Sequence, residues 1–184
     1  MQERRKIVPR AIGRVLEVGV GSGLNLDLYD RDRVDRVWAL DPSRTLLDRA
    51  LQRTRPDGVD VRLLAGSAEN IPFNDAAFDT VVSTYTMCSI PNLGRALGEM
   101  RRVLRRGGRL LFSEHGLSPD GRVARWQRWV SPCWCFLSGG CSVNRPIQRS
   151  IEDAGFRMLG VDAAYLPGPK LLTYTSTGTA ARGH

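Results

Sequence analysis

Three glycines spaced two apart, Gly19, Gly21 and Gly23, follow the apolar run Val15-Leu16-Glu17-Val18. Such a turn lets a small ligand lie against bare backbone, with the N-terminus of a following helix aimed at it. Glu17 stands two residues before the first glycine, where a carboxylate repels a pyrophosphate and attracts a cation. A dinucleotide-binding turn needs its third glycine at position 24, which is Leu24, and a P-loop needs Gly-Lys-Ser/Thr, with no lysine following here. A second carboxylate, Asp41, closes the second apolar run. Ligands of open α/β sheets bind beyond the carboxyl ends of the strands, and a carboxylate there can accept both hydroxyls of a ribose. Asp41-Pro42 is equally turn chemistry. His115, at the mouth of the fifth predicted strand, is the acid–base candidate, because imidazole titrates near neutrality. Its alternative is a hydrogen-bonding residue that fixes the loop.

The elements that must position these groups alternate along the chain. Strands are expected at Val15–Val18, Arg36–Leu40, Val59–Ala65, Phe78–Tyr85 and Arg109–Ser113. Helices are expected over Leu24–Tyr29, from a Ser43 cap to about Thr54, from an Asn92 cap to Arg105, and over Val123–Val130 and Ile147–Ala154. Gly107-Gly108 closes the third of these helices. Two extended segments, Phe156–Tyr165 and Lys170–Thr177, then flank Pro167-Gly168-Pro169. Alternation implies an α/β fold with a doubly wound, mostly parallel sheet and helices on both faces, and the last pair implies an antiparallel hairpin at its edge. One domain over 1–184 is expected, with residues 178–184 as a frayed tail.

Composition narrows the setting. The chain has 184 residues, ordinary hydrophobic and charged fractions, and a net charge of +8. No apolar run approaches a bilayer span, and the charged start Met1-Gln2-Glu3-Arg4-Arg5-Lys6 lacks a secretory pattern, so a cytoplasmic location is expected. The arginines are dispersed and no RNA-binding signature is visible, which argues against nucleic acid. The segment Gly121–Phe136 carries Arg122, Arg125 and Arg128 with Trp126, Trp129, Trp134 and Phe136. Arg and Trp on one helix suit a membrane interface or a cap over a substrate pocket. The alternative, favoured for two of the three Trp residues, is a helix that buries them on the sheet. Cys133, Cys135 and Cys141 lack the spacing of a structural zinc site, so no metal is expected.

The ordered set Glu17-x-Gly19-x-Gly21-x-Gly23, Asp41, Gly66–Phe73, Phe78-Asp79 and Val103–Leu110 resembles the class I S-adenosylmethionine-dependent methyltransferases, from about Arg10 to Thr177. A narrower likeness runs through Thr84–Pro91, Ser113–Gly116 and Gly139–Arg145. These stretches resemble a methyltransferase-like group that includes bacterial phospholipid (phosphatidylethanolamine) N-methyltransferases and animal thiol methyltransferases. The resemblance implies a Rossmann-like, seven-stranded class I fold with S-adenosyl-L-methionine as cofactor and S-adenosyl-L-homocysteine as product. It implies that the turn from Gly19 to Gly23, with Val18, Ser22 and Asn25, passes under the methionine part, and that Glu17 helps hold its amino group. Asp41 with Pro42 would take the ribose, Ser67, Ala68 and Glu69 would flank the adenine, and Thr84 and Tyr85 would line the pocket. Ser89, His115 and Trp126 are the expected acceptor contacts. Relatives carry more chain ahead of the first strand, so an open cofactor site is the expectation.

Methyl transfer is a direct displacement, in which alignment alone can contribute about 7–11 kcal/mol. A base is needed only where the acceptor must lose a proton. The expected acceptor is a small molecule or lipid, an amine or a thiol, with peripheral membrane contact through Arg122–Phe136 and a monomer or weak dimer as the working form. Two other functions stay open: a nucleic-acid methyltransferase, and a non-catalytic cofactor-binding protein.

Overall fold

Alternate residues of the central strands are apolar on both sides, which is the pattern of a parallel sheet covered by helices on both faces. Val15, Val37, Val82 and Leu111 face one layer, while Leu16, Val81 and Leu110 face the other. The computed structural model describes residues 1–53, 58–137 and 140–183, apart from the side chains of Pro132, Cys133 and Leu137. Thr54, Gly139 and the Cys133 side chain, all named above, lie outside the described residues, as does residue 184 of the expected tail.

In chain order the elements are α1 (Gln2–Ile7), β1 (Gly13–Val18), β2 (Val34–Asp41), α2 (Arg44–Leu51), β3 (Val61–Ala65), β4 (Phe78–Thr84) and α3 (Leu93–Val103). Then follow β5 (Leu104–His115), α4 (Gly121–Leu137), α5 (Ile147–Asp153), β6 (Phe156–Tyr165), α6 (Lys170–Thr173) and β7 (Tyr174–Arg182). Among the described residues the sheet has seven strands in the order β3-β2-β1-β4-β5-β7-β6. β1 to β5 run parallel, and β7 is antiparallel to both β5 and β6. α1 and α2 cover one apolar layer, and α3 and α5 cover the other. The expected caps form: Ser43 Oγ accepts from the Leu46 N–H at 3.3 Å, and Asn92 Oδ1 from the Arg95 N–H at 3.0 Å.

Four expectations need correction. Residues 178–182 are not a frayed tail; they complete β7, wedged between β5 and β6, where Gly178 and Ala180 are buried. Their small side chains fit that crowded position, since a Cβ on Gly178 would lie 2.6 Å from the Gly160 carbonyl. The stretch Leu24–Tyr29 holds only a 3₁₀ turn at Leu26–Leu28, because Asn25 and Tyr29 are both tied by their side chains to Glu17. α3 stops at Val103, and a bulge in β5 absorbs Arg105–Gly108, with Gly107 at φ +77°. Lys170–Thr173 is a helical turn after Pro169 rather than extended chain.

Candidate functional site

The first glycine sits where β1 ends, and its backbone is tied to the neighbouring strand: Gly19 N–H and Val20 N–H both donate to the Leu40 carbonyl, at 2.8 and 3.2 Å. Gly19 takes φ +72°, and a Cβ there would lie 2.1 Å from the Thr86 side chain. Gly21 takes φ +55°, and nothing lies within 4 Å of where its Cβ would be. The two glycines therefore serve different ends. Gly19 lets the turn press against the exit of β4, whereas Gly21 leaves bare backbone facing open space.

That space is a cavity of about 390 Å³ at the carboxyl ends of the parallel strands. Its size falls within the roughly 300–1,000 Å³ usual for small-molecule sites. Of the residues expected from the sequence, Val18, Gly19, Gly21, Asp41, Pro42, Ser67, Ala68, Tyr85 and Ser89 line it. Leu40, Ser43, Leu46, Gly66, Thr86, Ile90 and Pro91 complete the lining. Asp41 Oδ2 accepts from the Gly21 N–H and Oδ1 from the Ser43 N–H, both at 2.9 Å, so the carboxylate braces the glycine turn. Each oxygen keeps a second lone pair for a ligand hydroxyl, and the two readings of Asp41, turn former and ribose acceptor, are compatible.

Behind the turn lies a buried polar network. Glu17 accepts from Asn25 Nδ2 at 2.9 Å and from the Tyr29 hydroxyl at 2.8 Å. Asn25 Nδ2 also donates to Thr84 Oγ1 at 3.0 Å. Burial pushes the Glu17 carboxyl up to about 7. Arg4, from α1, reaches into this network and donates to Asn25 Oδ1 at 2.9 Å and to Thr84 Oγ1. Its guanidinium lies 5.0 Å over the Tyr85 ring. Glu17, Asn25 and Thr84 are thus set behind the cavity wall, not on it. α1 packs behind the glycine turn, with Ile7 buried in the core.

The opposite wall is the tight turn after β4. Tyr85 adopts φ 54°, a conformation rare for a side chain with a Cβ. Both oxygens of the buried Glu114 receive the Thr86 N–H, at 3.0 and 2.9 Å, and Oε1 also receives the Ser83 hydroxyl at 2.9 Å. Burial raises the Glu114 carboxyl to about 7. Thr86 Oγ1 donates to the Gly19 carbonyl at 3.2 Å, joining the two walls. His115 follows Glu114 at the end of β5, its ring 4.7 Å from that of Tyr85 and its Nδ1 3.3 Å from Thr175 Oγ1. Burial lowers its pKa, so the ring is neutral near pH 7. His115 does not line the cavity; Tyr85 stands between.

Other expected residues go elsewhere. Glu69 accepts from the Asn92 N–H at 2.7 Å and so anchors the start of α3. Ser22 and Gly23 do not line the cavity; Gly23 gives α2 room, since its Cβ would lie 3.1 Å from the Ala50 Cα. Trp126 joins Arg122, Val123 and Pro169–Leu171 in a separate hollow. Nor are two Trp residues buried on the sheet: Trp126 is 56% and Trp129 78% exposed, because α4 turns Ala124, Gln127 and Ser131 inward instead. Gln127 locks that face by donating to the Gly116 and Leu171 carbonyls and accepting from the Ser118 N–H. Among the described residues, no cluster of three His, Cys, Asp or Glu side chains could hold a metal ion, and no helix is long and apolar enough to cross a membrane. Sequence reasoning missed Arg4, Thr86 and Glu114. The run Ser113-Glu114-His115 pointed to the neighbourhood of Glu114, while nothing local marks Arg4.

A sheet ordered β3-β2-β1-β4-β5-β7-β6, with its glycine turn and acidic strand end facing one cavity, is the class I methyltransferase fold. The chain belongs to the Methyltransferase domain family, whose profile matches residues 16–112. It is 34% identical over 152 residues to human thiol S-methyltransferase TMT1B, covering 79% of this chain and 62% of that protein. It is 39% identical over 114 residues to the phosphatidylethanolamine N-methyltransferase of Cereibacter sphaeroides, covering 61% of this chain and 55% of that protein. The chain therefore spans about 60% of the length of these relatives. The crystal structure of the Bacillus YcgJ protein superposes with a TM-score of 0.79 at 16% identity, covering 100% of this chain and 97% of that one.

Proposed function

We propose that the chain is an S-adenosyl-L-methionine-dependent methyltransferase acting on a small-molecule or lipid acceptor, an amine or a thiol. The observation that carries this reading is the cavity at Gly21, open where a side chain would stand and bordered by the Asp41 carboxylate. The cofactor supplies an electrophilic methyl group on a sulfonium. Asp41 receives the ribose hydroxyls with its spare lone pairs, and Ser67 and Ala68 border the adenine. Arg4 and the Glu17 network brace the glycine turn from behind on the side of the charged amino-acid end, where the guanidinium favours a carboxylate and Glu17 an ammonium. Tyr85 and Ser89 shape the acceptor side. An amine attacks in its neutral form and a thiol as thiolate; His115, behind Tyr85 and off the cavity, steadies the Tyr85 ring on that side.

The relatives named for thiols and for phosphatidylethanolamine support the two acceptor classes. Exposed Trp126, Trp129 and Phe136 beside Arg122, Arg125 and Arg128 support contact with a phospholipid surface, where aromatic rings enter the interface and cations meet the headgroups. The reading is tested by assaying transfer of a labelled methyl group to phosphatidylethanolamine vesicles, small thiols and RNA. Label on the lipid or a thiol is expected. Label on RNA alone, or on none of the three, contradicts the reading.

A further inference from the structure

The proposed methyl transfer makes no use of the chain's sulfur, yet two cysteines meet directly beside the cavity. Cys88 lies buried in the turn that follows β4, one residue before the cavity-lining Ser89. Cys141 reaches it from the segment ahead of α5, the two Sγ atoms standing 3.4 Å apart. The same two segments are laced by backbone: the Ser142 N–H donates to the Cys88 carbonyl at 2.9 Å, and Arg145 Nη1 to the Met87 carbonyl at 3.0 Å. Both residues are thiols in this structure. Cys135 is a thiol too, and its Sγ accepts from the Ser142 hydroxyl at 3.9 Å. A disulfide holds its sulfurs about 2.05 Å apart, so bonding this pair asks for roughly 1 Å or more of approach between two segments already in register.

We propose that Cys88 and Cys141 form a reversible thiol–disulfide site, closed by low-molecular-weight disulfides, that locks the cavity turn onto the segment 140–145. Cys141 is the attacking sulfur. It is the more exposed of the two, and the Cys88 thiol beside it favours its thiolate, bringing its pKa down to about 7. It displaces one thiolate from the small disulfide and keeps the other half as a mixed disulfide. Cys88, whose thiol is pushed up by its neighbour and by burial, then releases its proton to solvent and attacks Cys141 Sγ, expelling the second thiolate. The protein loses two electrons and two protons, and the small disulfide becomes two thiols.

Closure draws on the turn that carries Tyr85, Thr86 and Ser89. A misplacement of about 1 Å can cost on the order of a hundredfold in rate, so the oxidised chain turns over more slowly. The thiol chemistry stands apart from the cofactor assignment; only the effect on turnover rests on it.

The test equilibrates the full chain with glutathione disulfide and glutathione at rising ratios, alkylates it, and maps peptides without reduction. The expected result is one crosslinked pair joining Cys88 to Cys141, with two of the chain's 4 cysteines lost to alkylation and both recovered with dithiothreitol. Cys88→Ser and Cys141→Ser should each abolish the pair, and Cys135→Ser should keep it. Methyl transfer should fall about tenfold or more on oxidation of the unmodified chain, and within about twofold for Cys141→Ser. A Cys88 that stays open to alkylation, or a dominant link through Cys135, overturns the site. A complete Cys88–Cys141 link with unchanged turnover overturns the lock. If the reduced chain transfers no methyl group at all, the methyltransferase reading fails on its own and the crosslink still decides the thiol chemistry.

Discussion

Two buried carboxylates stand behind the two walls of the cavity, and they are held in opposite ways. Glu17 is bound by side chains, Asn25 and Tyr29, with Arg4 joined through Asn25. Glu114 receives a backbone N–H with both oxygens, together with a serine hydroxyl, and so holds a turn whose Tyr85 sits at φ 54°. One carboxylate organises a side-chain network; the other holds a strained backbone in place. On the proposed function, the wall at the glycine turn should therefore fail by losing cofactor affinity, and the wall after β4 by losing geometry.

The largest effect should come where the walls touch. Gly19→Val forces a side chain into φ +72° and onto Thr86. The left-handed conformation alone costs about 1–2 kcal/mol, and the displaced Thr86 adds to it. Denaturant unfolding should show a loss of about 3 kcal/mol or more, with cofactor binding abolished. Glu114→Ala comes next. It strands the Thr86 N–H, and should lower stability by about 2 kcal/mol and kcat by about a hundredfold, with a smaller change in cofactor Kd. Glu17→Ala should cost a similar stability but appear mainly in Kd. A Glu114→Ala chain that lost cofactor affinity while keeping kcat would erase the contrast. Asp41→Ala should weaken cofactor binding about tenfold or more in titration calorimetry, the usual cost of losing hydrogen bonds to a charged group.

Acidity offers a subtler probe. Both carboxyls are raised by burial from 4.5 to about 7 in the folded chain. The unfolded chain therefore binds fewer protons between these values, and stability falls as pH rises from about 4.5 through 7. Urea unfolding across that range should show the decline, and Glu17→Gln should remove its share. The smallest effect on the fold should be Trp129→Ala on α4. Trp129 is 78% exposed, so its loss should shift stability by no more than about 0.5 kcal/mol while weakening binding to phospholipid vesicles.

The same division explains what could be read from the chain. The Ser43 and Asn92 caps were legible because each works within three residues of itself, and the glycine turn and Asp41 because each ends a strand in a short recognisable pattern. Arg4 was not, since its partner Thr84 lies 80 residues away. Nor was the role of Glu114, which binds Thr86 across 28 positions. Residues 178–182 read as a tail because the run Gly-Thr-Ala-Ala-Arg lacks the large apolar side chains that mark a strand; only pairing with β5 and β6 makes it one. On α4 the aromatic and basic residues were visible, but the inward face is set by Gln127 reaching the Gly116 and Leu171 carbonyls, which sequence spacing does not reveal.

The central claim is that the space in front of Gly21 receives S-adenosyl-L-methionine. Gly21→Val probes it with little else disturbed, because no atom lies within 4 Å of the added Cβ and the strain at φ +55° is confined to one residue. Titration calorimetry of the unmodified chain should give saturable binding with one cofactor per chain. The folded Gly21→Val chain should lose that binding by about a hundredfold or more, since the added methyls occupy the ligand's place. Absence of binding to the unmodified chain, or equal binding to both, contradicts the account.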